Sequence, residues 1–247
     1  MLVKTFVKNN LVLCVASIVL VVFFLGYVVG VEVGQDTVRK QELANLEQRL
    51  AEFKDSKSIT PSQISKDDDP LLGDPDAPLS IIEFSNFQCK FCLRFYSDTL
   101  PLLKTHYIDT GKVNLIYRDF PIPKIYDNSM PAALASECAN EQGKFWEYHD
   151  ILFENQHTWR QNESDLPLLT FKQFANTLAL NQEKFDSCLD SGKYADEINS
   201  DVGDGRDYAV SGTPTFFVGN DKVGYSSLFG TQSFSDFQKI IDEKLEQ

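Results

Sequence analysis

The amino-acid sequence predicts an α/β fold in which a block of helices interrupts a small sheet. The first observation behind this prediction is a β-rich apolar run at 79–85, a helical run at 90–109 and a second β-rich run at 113–120. Strand, helix and strand in this order favour parallel strands, so a βαβ unit is expected. The second observation is that residues about 128–200 carry helical patterns, whereas residues 213–245 return to two strands and a closing helix.

The amino-terminal segment predicts a membrane anchor. Residues 9–31 are uncharged and mostly apolar, long enough for a bilayer core, which takes about 20 residues. Lys4 and Lys8 precede this stretch, so the positive-inside rule leaves residues 1–8 in the cytoplasm and the rest of the chain outside. A cleaved signal peptide is the alternative, but its apolar region is shorter, about 7 to 15 residues. We expect a single-pass protein of the cell membrane with an extracytoplasmic domain.

Two segments of different composition follow the predicted anchor. In residues 32–57 apolar side chains recur at helical steps between charges, which predicts a helical stalk. A weak dimer zipper is the alternative, because the stripe from Leu43 to Phe53 is shorter than the three or four heptads typical of a coiled coil. Residues 58–69 are rich in Pro, Asp and Ser and lack an apolar period, so they are predicted to be a linker.

Residues 70–247 are predicted to form one domain, with the helical insertion at about 128–200. The helix that follows the first strand contains Pro101, which is expected to kink it. In the insertion, Ser129, Thr170 and Asn181 stand where helices are expected to begin, and their side chains are suited to N-caps.

Composition excludes one large class of partner. The formal net charge is −13, and no stripe of Lys and Arg opposes it. Attraction to a phosphate backbone needs such a basic surface, so we expect no nucleic-acid partner. The hydrophobic share of 43% allows one sizeable core, so the domain does not need disulfides to fold.

Two cysteines three positions apart follow the first strand, in the stretch FSNFQCKFC at 84–92. Such a pair can bind metal, crosslink the chain or exchange electrons. Cys89 stands at the predicted start of the helix and Cys92 in its first turn. Unpaired N–H groups and the helix dipole stabilise a thiolate there, and Lys90 adds a neighbouring cation. A thiol of low pKa is a good leaving group, so this position favours thiol-disulfide exchange.

The chain resembles the DsbA-like thiol-disulfide oxidoreductases, the branch of the thioredoxin fold with an inserted helical domain. The resemblance covers residues 69–247 and rests on three segments in the family's order, GDPDAPLSIIEFSNFQCKFC, KFWEYHDILF and VSGTPTFFV. It implies that Cys89 is the nucleophile exchanged with substrate and that Cys92 is the resolving thiol. It also implies a cis peptide bond between Thr213 and Pro214 that faces the cysteines, beside which an extended substrate peptide can pair.

Glu83 interrupts the apolar run of the first strand. Its carboxyl group is either on an exposed face or buried at a cost. Proteins of the family that the chain resembles carry a buried acid at this point, and strands of a covered parallel sheet are buried on both faces. Burial would raise the pKa of Glu83 and allow it to carry a proton to and from Cys92.

The active-site dipeptide Lys90-Phe91 departs from the Pro-His of the best-known oxidising members of the family. These two positions help to set the stability of the thiolate and therefore the redox potential. Lys90 favours an oxidant, but no histidine accompanies it. The direction of electron flow therefore stays open at this point.

The other cysteines have structural interpretations. Cys14 lies in the predicted anchor, where a thiol behaves as a small apolar residue. Cys138 and Cys188 lie in different predicted helices of the insertion. In an oxidising compartment they are expected to form a structural disulfide, with two buried free thiols as the alternative.

The sequence therefore predicts a membrane-anchored extracytoplasmic enzyme that exchanges the Cys89–Cys92 disulfide with cysteine pairs of exported proteins, as an oxidant. A reductase or isomerase of the same fold is the alternative. A metal-binding module is a competing class, but a closed zinc site takes four ligands and no second pair stands nearby. We expect no cofactor beyond the redox-active disulfide and no metal. The expected partners are cysteine-containing exported proteins and a membrane thiol oxidase or reductase that recycles the enzyme.

Overall fold

The computed structural model describes residues 40, 41, 44, 64–160 and 166–247. Residues 40, 41 and 44 are helical. The predicted anchor at 9–31, most of the predicted stalk and residues 58–63 of the predicted linker lie outside the described residues. Among the residues that the structure does describe, no helix combines the length and the apolar composition needed to cross a membrane.

A five-stranded sheet lies at the centre of the domain, in the strand order β1-β3-β2-β4-β5. The strands are β1 (Leu71–Leu72), β2 (Leu79–Ser85), β3 (Val113–Asp119), β4 (Thr215–Asn220) and β5 (Gly224–Phe229). Strands β2 and β3 are parallel, which confirms the predicted βαβ unit, and the other neighbours are antiparallel. Strand β1 was not predicted, because two residues after a proline are too few to show a β period.

The sheet is covered on both faces, and this explains why its central strands are apolar throughout. Every residue of β2 and β3 is buried. Successive side chains of a strand point to opposite faces. Ile81 accordingly packs in one apolar cluster with Phe237 of the closing helix. Ile82 packs in another with Val202 of the insertion.

The helical run after β2 contains two wide turns. It consists of α1 (Lys90–Arg94), a π-helical turn (Phe95–Thr99), α2 (Leu100–Leu103) and a second π-helical turn (Lys104–Ile108). Pro101 stands in the first turn of α2, directly after the first π-helical turn. A proline has no N–H to donate to the preceding turn, and a widened turn lies directly before Pro101, at the position where the kink is predicted.

The insertion is helical, as predicted. Its helices are α3 (Ser129–Asn140), α4 (Phe145–Glu154), α5 (Gln156–Trp159), α6 (Leu166–Thr177), α7 (Gln182–Ser191) and α8 (Ala195–Asp207), and α9 (Phe234–Leu245) closes the chain after β5. The predicted cap at Asn181 is confirmed, because its side chain accepts a hydrogen bond from the Lys184 N–H at 3.0 Å. The other two were wrong: Ser129 is the first helical residue after the N-cap Asn128, and Thr170 lies inside α6.

Residues 64–69, which fall in the predicted linker, pack on the domain. Ile64 is 4% exposed and belongs to the cluster of Ile82. Asp67 and Asp69 form ion pairs with Arg118 of β3 at 3.2 Å and 2.8 Å. Asp201 and Asp204 of α8 pair with the same guanidinium. One buried arginine therefore joins the entry segment, the sheet and the end of the insertion.

Replacing Arg118 by Met should lower the free energy of unfolding by about 3–5 kcal/mol, because the buried carboxylates lose their cation. Lys172→Met is the matched control, since Lys172 pairs with Asp190 at 2.8 Å on the surface. Such a pair contributes about 0–1 kcal/mol. Urea unfolding of both variants measures the difference. Equal losses would contradict a structural role for the buried arginine.

Candidate active site

Cys89 and Cys92 lie where β2 passes into α1. The Asn86 side chain accepts a hydrogen bond from the Gln88 N–H at 2.9 Å, and the Asn86 carbonyl accepts one from the Cys89 N–H at 3.0 Å. This tight turn ends at Cys89, the N-cap of α1, and the Cys89 carbonyl accepts from the Leu93 N–H at 3.1 Å. Cys92 follows in the first helical turn. The structure describes both residues as free thiols, 2% and 0% exposed.

The surroundings of Cys89 favour its thiolate. A hydrogen bond from the Cys92 thiol is the largest contribution, and together with Thr213 and the N–H groups of Cys92 and Phe91 it lowers the pKa of Cys89 to about 5, although burial opposes the shift. The two backbone donors belong to the start of α1, where an α-helix has N–H groups without partners. The predicted start of the helix therefore does provide donors for the sulfur.

Thr213 and Pro214 lie beside Cys89, although they are far away in sequence. Strand β4 runs antiparallel to β2 and pairs Thr215 with Phe84, so the start of β4 meets the end of β2. The Cys89 thiol lies 3.4 Å from the Thr213 carbonyl oxygen. The Thr213–Pro214 peptide bond is cis. The Thr213 hydroxyl oxygen is buried without a protein hydrogen-bond partner, and it can donate to the sulfur when Cys89 is ionised.

Glu83 is buried beneath Cys92, at 1% exposure. Burial raises its pKa to about 8, and the neighbouring Ser85 side chain opposes the shift. Burial also raises the pKa of Cys92 well above its usual value, and Cys89 and Glu83 add to this effect. At neutral pH both groups therefore carry their protons while Cys89 is ionised. The side chains of Glu83 and Ser85 share one face of β2, which places a proton-carrying acid and a hydroxyl group beside Cys92.

The dipeptide between the cysteines points outward. The Lys90 ammonium lies 5.0 Å from the centroid of the Phe91 ring, and the Arg94 guanidinium lies 5.8 Å from it. Phe91 is 41% exposed, and its carbonyl accepts a hydrogen bond from the Thr231 hydroxyl at 2.8 Å. The structure therefore directs the Lys90 charge to an aromatic face, and the donors described above stabilise the thiolate.

The sequence did not reveal the amide side chains that hold the active-site turn. Gln156 of α5 donates to the carbonyls of Phe87 and Cys89 at 2.6 Å and 3.2 Å. Gln88 donates to the Arg160 carbonyl at 2.6 Å and accepts from the Asn128 N–H at 2.8 Å. Glutamines in helical or turn patterns carry no signal for such contacts. The helical insertion thus holds the segment that carries Cys89.

Cys138 of α3 and Cys188 of α7 are bonded, with a Cα–Cα distance of 5.8 Å. They pack in the same apolar cluster as Cys89 and Cys92. The bond therefore joins two helices of the insertion behind the active site.

The competing interpretation as a metal site needs further ligands near the cysteines. Among the described residues, the group of side chains placed to hold a metal is Asp67, Asp69 and Asp201, and it includes neither cysteine. The Arg118 guanidinium already pairs with all three of these carboxylates. The geometry at Cys89 and Cys92 favours exchange chemistry.

Comparison with known proteins agrees with this geometry. A family model described as Thioredoxin matches residues 65–243. Disulfide bond formation protein D of Bacillus subtilis is 31% identical over 173 residues, which are 69% of this chain and 73% of that protein. The crystal structure of Wolbachia pipientis alpha-DsbA1 matches with a TM-score of 0.63 at 30% identity, over 72% of this chain and 91% of that one. Oxidised BdbD from Bacillus subtilis matches with a TM-score of 0.66 at 25% identity, over 77% and 98%.

The chain belongs to the DsbA-like thiol-disulfide oxidoreductases of the thioredoxin family. Other relatives are much longer. The Na(+)/H(+) antiporter NhaA 3 of Salinispora tropica is 32% identical over 155 residues, which are 63% of this chain but 22% of the antiporter. The chain therefore spans about a fifth of the length of the curated relatives of this kind.

The thiolate of this DsbA-like protein should make the stability of its reduced form depend on pH. Because the pKa of Cys89 is about 5 when folded and about 9 when unfolded, the unfolded state binds the additional proton between these values. The reduced form should thus gain stability as the pH rises from about 5 to about 9 and lose it as the pH falls through 5. Absorbance of the thiolate at 240 nm should show a midpoint near 5 that is absent in Cys89→Ser. A midpoint near 9 would contradict the geometry.

Glu83 should make the free energy of unfolding depend on pH in the opposite sense. Its pKa rises from 4.5 to about 8 on folding, so the folded state keeps a proton that the unfolded state has lost. Its contribution is fully present below about 4.5 and is lost as the pH rises through 8. Glu83→Gln should therefore gain stability relative to the parent across this interval. The control Glu147→Gln, at a side chain 48% exposed, should not. Urea unfolding at several pH values measures the difference. If the free energy of unfolding changes with pH in the same way in Glu83→Gln and in the parent, Glu83 is ionised when folded and the expectation is wrong.

Proposed function

We propose that this DsbA-like chain is an oxidant that introduces disulfide bonds into exported proteins from an anchor in the cell membrane. The observation that carries the direction is the set of hydrogen bonds to Cys89, which lowers its pKa to about 5. A stabilised thiolate lowers the free energy of the reduced enzyme. The Cys89–Cys92 disulfide therefore gains electrons readily, as an oxidant must.

The groups at the site support a balanced exchange. A substrate thiolate attacks the Cys89 sulfur, the Cys89–Cys92 bond breaks, and the Cys92 sulfur takes a proton from Glu83. The second substrate thiolate then attacks the mixed disulfide, and Cys89 leaves as a thiolate. The substrate dithiol is oxidised to a disulfide, and the enzyme disulfide is reduced to the cysteine pair. The low pKa of Cys89 favours its departure in the second attack, and the high pKa of Glu83 keeps a proton ready for the first.

The substrate is expected to lie across Thr213 and Pro214. These residues precede β4 and lie next to Cys89, whose thiol is 3.4 Å from the Thr213 carbonyl oxygen. An extended peptide recognised through its backbone suits an enzyme that must accept many sequences around a cysteine. We assign Thr213 and Pro214 to this binding, and Phe91 to the exposed rim beside it.

The proposed location rests on the sequence of residues 9–31 and on a structural feature of the domain. The Cys138–Cys188 bond supports this location, because disulfides persist in oxidising compartments outside the cytoplasm. Residues 1–8 would then remain in the cytoplasm, and a membrane thiol oxidase would regenerate the Cys89–Cys92 disulfide. In a fusion of alkaline phosphatase to the carboxyl terminus, activity would support this orientation, and its absence in an expressed fusion would oppose it.

Replacing Cys92 by Ala should trap substrates as mixed disulfides on Cys89, because the resolving thiol is missing. Non-reducing electrophoresis of the tagged full chain from growing cells should show higher-mass species that disappear on reduction. The control, Cys89→Ala with Cys92→Ala, should trap nothing. Trapping by neither protein would overturn the exchange mechanism.

The direction has its own test with reduced, unfolded ribonuclease A as the probe. The oxidised enzyme should form ribonuclease disulfides without another oxidant, one for each enzyme disulfide consumed. A protein that instead reduces insulin disulfides and leaves ribonuclease thiols free would be the reductase alternative.

A further inference from the structure

The loop between β5 and α9 joins the start of β4 to α1 at the edge of the active site. The Gly230 N–H donates to the Pro214 carbonyl at 2.8 Å. The Thr231 hydroxyl donates to the Phe91 carbonyl at 2.8 Å. The peptide-binding residues proposed above and the exposed ring of Phe91 therefore belong to one hydrogen-bonded rim beside Cys89.

Two positive side chains, the rim cations Lys90 and Arg94, stand at this rim. Both are exposed, and they lie one helical turn apart on α1. The Lys90 ammonium lies 5.0 Å and the Arg94 guanidinium 5.8 Å from the centroid of the ring of Phe91, which is 41% exposed. Like charges at this spacing repel each other, so their placement does not serve the stability of the helix. The rim therefore presents two cations to solvent around one aromatic ring.

The rim cations form no ion pair with a carboxylate among the residues that the structure describes. Asp98 follows one turn after Arg94, but its carboxylate accepts a hydrogen bond from the Ser97 hydroxyl at 2.7 Å. Exposed lysines elsewhere, such as Lys144 and Lys193, pair with carboxylates at 2.6 Å and 2.9 Å. Since the chain has 36 acidic residues and 23 Lys and Arg, a shortage of carboxylates does not explain the difference. The rim cations are therefore available to a carboxylate of another molecule.

A bound substrate brings such a carboxylate within reach. Arg94 stands five residues after Cys89, which is about 7.5 Å along a helix at about 1.5 Å per residue. An extended peptide advances about 3.3–3.6 Å per residue, so two or three residues cover about 7–11 Å. When a substrate cysteine is bonded to Cys89, the second or third residue from that cysteine is therefore at the distance of the rim cations.

We propose that Lys90 and Arg94 bind an acidic side chain of the substrate, and that the enzyme therefore prefers cysteines with Asp or Glu two or three residues away. An ammonium and a guanidinium both form charge-assisted hydrogen bonds with a carboxylate. The inference rests on the proposed exchange function and adds the class of substrate to it. The bonds that form and break at Cys89 and Cys92, and the path of the proton, stay as described for the exchange.

An anionic membrane surface offers the same negative charge as an acidic peptide, but the observations favour the peptide. The chain has a net charge of −13, so its surface as a whole is repelled by anionic lipid. The rim cations lie on the same hydrogen-bonded rim as Pro214, beside Cys89, where the exchanged peptide must lie. A peptide joined to Cys89 is held next to these charges by the mixed disulfide itself.

Peptide dithiols of one sequence, with Asp, Asn or Lys two positions from the attacking cysteine, test the inference. Arg94→Gln should lower the Asp-to-Asn ratio of the second-order rate constants for oxidation by the full chain about threefold, the effect of one exposed charge pair. Arg94→Glu should lower this ratio further and raise the Lys-to-Asn ratio above that of the parent. Because each ratio is compared between proteins, the effect of the flanking charge on the peptide thiol cancels, as does any change in the reactivity of Cys89.

Lys112→Gln is the matched control. The Lys112 ammonium also lies near an aromatic ring, 5.9 Å from the centroid of Tyr107. Lys112 directly precedes β3, whose start pairs with the start of β2, so it lies at the sheet edge opposite to Cys89. This variant should keep both ratios of the parent. Raising the ionic strength should bring the Asp-to-Asn ratio of the parent toward that of Arg94→Gln, because salt screens exposed charges.

If both Arg94 variants keep the ratios of the parent, the inference is wrong although the exchange function stands. If, in addition, vesicles of phosphatidylglycerol slow the parent but not the variants, the rim cations bind an anionic membrane surface instead. A parent that oxidises none of the three peptides would overturn the proposed exchange function itself.

Discussion

The set of hydrogen bonds that converges on the Cys89 sulfur is the interaction on which this structure depends. Donors from α1, from Cys92 and from Thr213 lower the pKa of a largely buried thiol to about 5, against the cost of burial. At Cys92 burial outweighs the opposing effect of Ser85, so the pKa of this thiol rises. The protein therefore holds two chemically identical groups in opposite protonation states within one helical turn, and this difference gives each sulfur its own role.

The fold supplies these donors from distant parts of the chain. The antiparallel pairing of β2 with β4 brings Thr213 to the end of β2, across a sequence separation of 124 residues. The covered sheet buries Glu83 beneath Cys92, so the acid keeps a proton. The insertion contributes Gln156, which holds the carbonyls of the active-site turn. Arg118 joins the insertion to the sheet, so the site depends on both parts of the domain.

Much of this arrangement could be predicted from the sequence, and there is a physical reason why the rest could not. The β-rich runs, the helical block and the spacing of Cys89 and Cys92 are local patterns, and the resemblance to DsbA-like proteins placed Thr213 beside them. The contacts of Gln156 are long-range, and a glutamine in an ordinary pattern gives no sign of its partner. A contribution of the Lys90 charge to the thiolate stays a prediction, since the contact that the structure describes for its ammonium is with the Phe91 ring.

The reduction potential of the Cys89–Cys92 couple, measured by equilibrating the full chain with glutathione, tests the central claim most directly. If the thiolate is as stabilised as the geometry requires, the potential should lie near that of a strong oxidant, about −120 mV. A value near about −270 mV, as for thioredoxin, would contradict the account, because it would mean that the reduced form draws little stability from the donors around Cys89.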